Sequence, residues 1–236
     1  MLGIEFLGKH SYRDFGVTMA KGKEIGIPEK KKRKVAVPFS NTEYDFSELY
    51  GSQDYEPRPL TYPFNIYRQT TGKTAMNSKK TQIINWLMNS NGKQKLYDDA
   101  YPGYYFLAEV EGSSSFSEDY DTGVLTVEFI AYPFMISELQ EGHDIWDVFN
   151  FELDVSQQTS FEVNGQLEVI LLNVGTPDLI PTITASSAMT IEKDNVTYNV
   201  PSGESKSDEF VLTSGENELI ITGNGSISFE FHKELI

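Results

Sequence analysis

One segment of this chain carries an apolar period of helical length, and the other patterned stretches are short aromatic and β-branched runs between turn residues. That combination restricts the fold to a sheet protein with a single helix. Met76, Ile83, Ile84, Leu87 and Met88 recur at roughly helical spacing, so 75–89 is expected to lay one apolar face on a core. Asn91-Gly92 is its stop signal. Lys95-Leu96-Tyr97, 104–110 and 123–134 are strand chemistry bounded by Asp98-Asp99, Pro102-Gly103 and Gly112. Earlier, 35–39 and 60–67 alternate apolar and polar residues, as a sheet with one covered face does.

Beyond about residue 145 the pattern is short strands every 8 to 12 residues, at 149–155, 160–163, 168–172, 182–185, 189–193, 196–200, 209–213, 218–222 and 226–232. Such spacing predicts an antiparallel sandwich. Its clearest hairpin turns on Asp194-Asn195, residue types that accept the positive φ values of a two-residue primed turn. The stretch Ser137 to Asp144 interrupts the strands and contains Gly142, which sets an expected boundary between a domain at 1–136 and another at 137–236.

Charge changes at the same place. From Met1 to Met135 there are 16 Lys and Arg against 17 Asp and Glu, a net of −1; from Ile136 onward there are 3 against 18, a net of −15. A near-neutral half suits a body packed against its own copies, and a strongly acidic half suits a solvated outer module that repels phosphate. The chain has no cysteine, so disulfides and thiolate metal sites are excluded. Neither a bilayer-spanning apolar run nor an apolar signal core is present, and the protein is expected to be soluble, without membrane insertion or a cleaved export signal. Asn195-Val196-Thr197 and Asn224-Gly225-Ser226 fit a glycosylation pattern but are read as turn asparagines.

The motifs that hint at chemistry each fall short of it. The basic run Lys30-Lys31-Lys32-Arg33-Lys34 matches a nuclear-import pattern, but five consecutive cations between Pro28 and a strand are read as a solvated edge or inter-subunit arm. Thr71-Gly72-Lys73-Thr74 echoes a phosphate loop whose earlier glycine is here Tyr67. His10, His143 and His232 lie in separate elements and no nucleophile elbow is present. Glu118-Asp119-Tyr120-Asp121 reads as a polar turn. Catalytic, metal and cofactor sites are therefore expected to be absent. The aromatics carry more information: Tyr44, Phe46, Tyr50 and Tyr55 crowd a Pro- and acid-rich loop, and Tyr104 and Tyr105 pose the same problem of leaving large apolar groups in water. With Lys31, Lys32 and Arg33 they are the candidate subunit or partner interface, packing within one subunit being the alternative. Trp146 is the candidate clasp between the domains.

The order of these pieces, with the opening GIEFLGKHSYRDFGV, the motif Tyr44-Asp45-Phe46-Ser47 before Leu49-Tyr50-Gly51, and the closing NELIITGNGSISFEF, resembles the distal tail protein (Dit) of long-tailed, non-contractile bacteriophages and their prophages. The resemblance is best over the first 136 or so residues and weaker beyond. It implies a mainly β fold: a ring-forming N-terminal domain with one helix, and a C-terminal galectin-like antiparallel β-sandwich. It also implies a structural, non-enzymatic hub at the virion tail tip, assembled in the cytoplasm of the bacterial host. The implied partners are five further copies in a hexamer, the major tail-tube protein, a tail-associated (Tal) fibre or lysin protein and a receptor-binding protein, with DNA passing the lumen without specific binding. A glycan-binding module for attachment to the host surface is the alternative, because sandwiches of this kind also serve lectins.

Overall fold

The computed structural model describes residues 2–236 apart from 48, 50, 68–72, 120, 121, 147 and 148. The chain forms two units: one comprises residues 1–45, 54–135 and 236, the other 46–53 and 136–235. The grouping of 46–53 with the second unit has no counterpart in the sequence pattern.

In the first unit the strands are β1 (Ile4–Phe6), β2 (Lys9–His10), β3 (Thr18–Met19), β4 (Glu24–Ile25), β5 (Lys34–Ala36), β6 (Glu43–Asp45) and β7 (Arg58–Tyr67). Helix α1 (Lys73–Leu87) follows, then β8 (Gln94–Asp98), β9 (Tyr104–Val110), β10 (Ser115–Glu118) and β11 (Thr122–Ala131). The main sheet runs β2-β1-β8-β9-β11-β7-β3, with β10 on β11 and β4 on β7. Its spine is the ten-residue antiparallel pairing of β11 with β7, from Thr122↔Tyr67 to Ala131↔Arg58. Period-2 alternation puts Leu60, Tyr62, Phe64 and Ile66 of β7 beside Leu125, Val127 and Phe129 of β11 in one core. Phe6 and Tyr62 meet the Phe129 ring edge-on at 5.4 and 5.8 Å, the favoured geometry for aromatic pairs.

Helix α1 covers this core with Met76, Ile83, Trp86 and Leu87, while Ile84 is partly buried and Met88 is exposed. The expected face is thus rotated toward Trp86, whose ring stacks on Phe15 at 4.6 Å and whose Nε1 donates to the Phe6 carbonyl at 2.8 Å. The expectation of a covered face on 35–39 is corrected: among the described residues β5 pairs only with β6, and all six residues of these two strands are exposed.

Strand β12 (Met135–Ser137) leads into the second unit, built from β13 (Ser160–Asn173), β14 (Thr182–Ala185), β15 (Met189–Lys193), β16 (Val196–Val200), β17 (Gly203–Ser205), β18 (Gly215–Glu230) and β19 (Glu234–Leu235). The sheet order is β16-β15-β18-β14-β17, with β13 on β18. The turn between β15 and β16 holds Asp194 and Asn195 at φ 52° and 61°, as their residue types require. Two pairs of expected strands are single long ones instead. Gly165 pairs with Gly223 and Asn164 with Asn224 inside a continuous fourteen-residue ladder, so these Asn-Gly signals mark bends rather than hairpin ends. Phe149 to Val155 is turn and loop, and 209–213 contributes only an isolated bridge, Leu179↔Leu212, although Phe210 and Leu212 are buried in the core.

Candidate assembly surfaces

The basic run lies on one side of a hairpin arm. Its base is closed by the Lys30↔Tyr55 bridge, by Lys31 N–H donating to Asp54 O at 2.9 Å and by Glu56 N–H donating to Glu29 O at 2.8 Å. Val35 stands opposite Tyr44, both exposed, and Val37 N–H closes the tip on Thr42 O at 3.1 Å. At the tip Phe39 is held at φ 61° and fully exposed. Three cations are paired with carboxylates: Lys32 with Asp45 at 3.0 Å, Lys34 with Glu43 at 3.4 Å and Arg33 with Asp54 at 3.8 Å. All six side chains are 40–67% exposed, so each pair contributes about 1 kcal/mol at most.

The candidate interface residues divide in this setting. Tyr44, Phe46, Lys32 and Arg33 are exposed, and Lys31 and Tyr55 are half-buried, the Tyr55 ring lying edge-on to Phe134 at 5.2 Å. Tyr50, Thr71, Gly72, Tyr120 and Asp121 lie outside the described residues. Tyr104 and Tyr105 are buried within their own unit, Tyr105 tilted against Tyr97 at 5.7 Å with Lys95 Nζ 4.3 Å from its centroid. Their strand, β9, lies between two partner strands.

Sequence reasoning passed over the apolar surface that surrounds Trp146. This side chain is 61% exposed and contacts Phe149 at 5.1 Å; Phe149 in turn meets Phe151, 83% exposed, at 5.2 Å. Ile145 and Leu153 extend the patch. Asp154 accepts from the Asn150 amide at 2.8 Å and, at the base of the loop, pairs with Lys233, which is 3% exposed and also lies 3.8 Å from Glu141. Gln157 bridges Glu141 Oε2 and the Leu172 carbonyl at 2.9 and 2.8 Å, fixing the same segment to β13. The loop is therefore rigidly footed while its rings face outward. The available signal was the strand-like run IWDVFNFEL with no matching turn and partner strand.

The titratable clusters of the first unit are occupied by structure. Asp98 accepts from Tyr62 Oη at 2.9 Å and the Ala100 amide at 3.0 Å, and pairs with Lys23 at 2.5 Å. Burial, reinforced by the Asp98 charge and this hydrogen bond, pushes the Tyr62 hydroxyl well above its ordinary pKa. His10 Nδ1 accepts from the Tyr12 and Arg13 amides, both at 3.1 Å, so its proton sits on Nε2 and is donated to Asp99 at 3.0 Å. Among the described residues no three His, Asp or Glu side chains are grouped to hold a metal ion. No helix of the described residues is long and apolar enough to cross a membrane.

The architecture is two mainly β units with one helix in the first. The chain is similar in particular to SPP1 Dit, whose crystal structure is described as a paradigm of the hub adsorption apparatus in phages infecting Gram-positive bacteria. The two superpose with a TM-score of 0.64 over 100% of both chains at 11% sequence identity, a likeness of fold. No protein-family model and no curated protein matches the sequence.

Proposed function

We propose that this protein is the hub of a phage tail tip: six copies ring the tail axis through domain 1–136, and domain 137–236, a galectin-like sandwich, projects outward. The observation that carries this reading is the full-length likeness of fold to SPP1 Dit. The charge division supports it, since the near-neutral half assembles without strong repulsion and the acidic half stays solvated. The ring joins the major tail-tube protein to a tail-associated fibre or lysin protein and a receptor-binding protein. Its action is geometric and non-enzymatic: a closed heterologous ring repeats one docking surface and leaves a lumen through which DNA passes without specific binding. Its place is the virion tail tip, reached from the host cytoplasm during assembly. Negative-stain electron microscopy of the purified chain tests this; six-fold rings with an open centre are expected, and monomers at every concentration up to about 100 micromolar, where interfaces of roughly 5 to 6 kcal/mol are populated, would reject it.

Saccharide attachment is a second reading with one observation in its favour. Tyr198, edge-on to Phe210 at 5.1 Å, lines a groove of about 450 Å³ with Asn199, Lys206, Ser207 and Glu209. The ring is partly buried against the core, and the polar groups that share its groove are of the kind that bind a saccharide. Calorimetry with host wall fragments separates the readings: saturable binding abolished by Tyr198→Ala favours attachment.

A further inference from the structure

We propose that the hairpin arm of one copy docks on the aromatic loop 145–153 of a second copy, with Phe39 as the anchor. The inference rests on the ring reading and specifies one of its contacts. Among the described residues β5 and β6 pair only with each other, and a two-stranded ribbon in water is marginally stable. It nevertheless presents Val35 and Tyr44 side by side and Phe39 at its tip, a shape that becomes stable against an apolar receiver.

The loop offers such a receiver. Ile145, Trp146, Phe151 and Leu153 are exposed on a segment anchored by the buried Lys233–Asp154 pair, so the patch is presented without a large ordering cost on binding. Charge identifies the occupant. From Glu29 to Asp45 the arm has five cations and three carboxylates; from His143 to Asp154 the loop has four carboxylates and no Lys or Arg. Asp144 and Glu152 are exposed beside the rings, complementary to the excess of cations on the strand that leads from the base of the arm toward Phe39. Apart from this run, Lys and Arg are scattered singly or in pairs along the sequence. Each copy supplies both a tip and a receiver, so the contact is heterologous and propagates around a ring.

Full-length chains carrying the photoreactive residue p-benzoylphenylalanine in place of Phe39, mixed with isotopically heavy chains, test the contact. Illumination is expected to give dimers whose adducts join light position 39 to heavy residues 144–153. Phe39→Ser and Phe151→Ser, checked for unchanged melting, are each expected to weaken self-association about tenfold or more. The double variant should lose little beyond either single one, because both changes remove the same contact. Adducts confined to one chain, adducts elsewhere, or variants that associate as tightly as the natural chain overturn the proposal while leaving rings in place. A natural chain that never self-associates overturns the ring reading, and this contact with it. Should a serine variant unfold, the cross-link alone decides.

Discussion

The N-terminal hairpin is fixed to the end of β8 by one histidine and one carboxylate, and the pair has a pH signature of definite sign. Asp99 accepts from His10 Nε2 at 3.0 Å and from the Gly3 amide at 2.8 Å. Burial by itself pushes its carboxyl up, but the hydrogen bonds from His10 and Gly3, with the charge of Arg13, outweigh this and hold it below the usual carboxylate range. A carboxyl depressed in the folded state stabilises above its unfolded pKa of about 3.9 and loses that contribution as pH falls through the lower folded value. Asp99→Asn, which keeps the shape and removes the charge, is therefore expected to lower the urea midpoint at pH 7. The deficit should shrink as pH falls below about 4 toward the depressed value. Unfolding curves at pH 7, 5 and 3 measure it; a deficit that stays constant or grows toward pH 3 would show that the charge of Asp99 contributes nothing. His10 illustrates what sequence leaves unread, since its partners at Tyr12, Arg13 and Asp99 come from a tight turn and from a residue 89 positions away.

At the scale of elements, the helix shows where periodicity reaches its limit. Ile83 and Leu87 belong to the buried face under either rotation, and the choice between Trp86 and Met88 as the next member is made by the groove beside Phe15 and Phe6. Apolarity alone favours Met88, whereas the indole also needs an acceptor, which only the folded β1 supplies. Trp86→Ala is accordingly expected to cost about 3 to 5 kcal/mol by emptying that space, while Met88→Glu on the exposed side should change stability by less than about 0.5 kcal/mol. Chemical denaturation of both variants checks this, and equal effects would mean that the helix is rotated from the face described. The strand pattern was legible where both neighbours were local, as in the β15–β16 hairpin. It failed between 163 and 168 and between 222 and 226, where breaks were expected and glycines instead permit two long strands to bend together. It failed also at 149–155, where an aromatic run with strand propensity forms turn and loop and leaves Phe151 exposed.

For the whole molecule the deciding quantity is charge, because every copy brings a net −16 to any assembly. Two electrostatic effects then compete, and they have different ranges. Net repulsion acts across the separation of whole subunits, where it is felt at 0.01 M salt with a Debye length of about 30 Å and is largely screened at 0.15 M with one of about 8 Å. Contact pairs between a cationic arm and an acidic loop act over a few ångströms and are screened appreciably only when the Debye length approaches 3 Å, near 1 M. Self-association is therefore expected to strengthen from 0.01 to about 0.15 M salt as repulsion is lifted, and to weaken again toward 1 M as the contacts are screened. Sedimentation velocity of the full chain across that series reads the outcome directly. Association that is tightest at the lowest salt would show that contact pairs outweigh the net charge at all ranges. A steady gain up to 1 M would show that apolar burial alone holds the copies together, with no part played by the cations at 30–34.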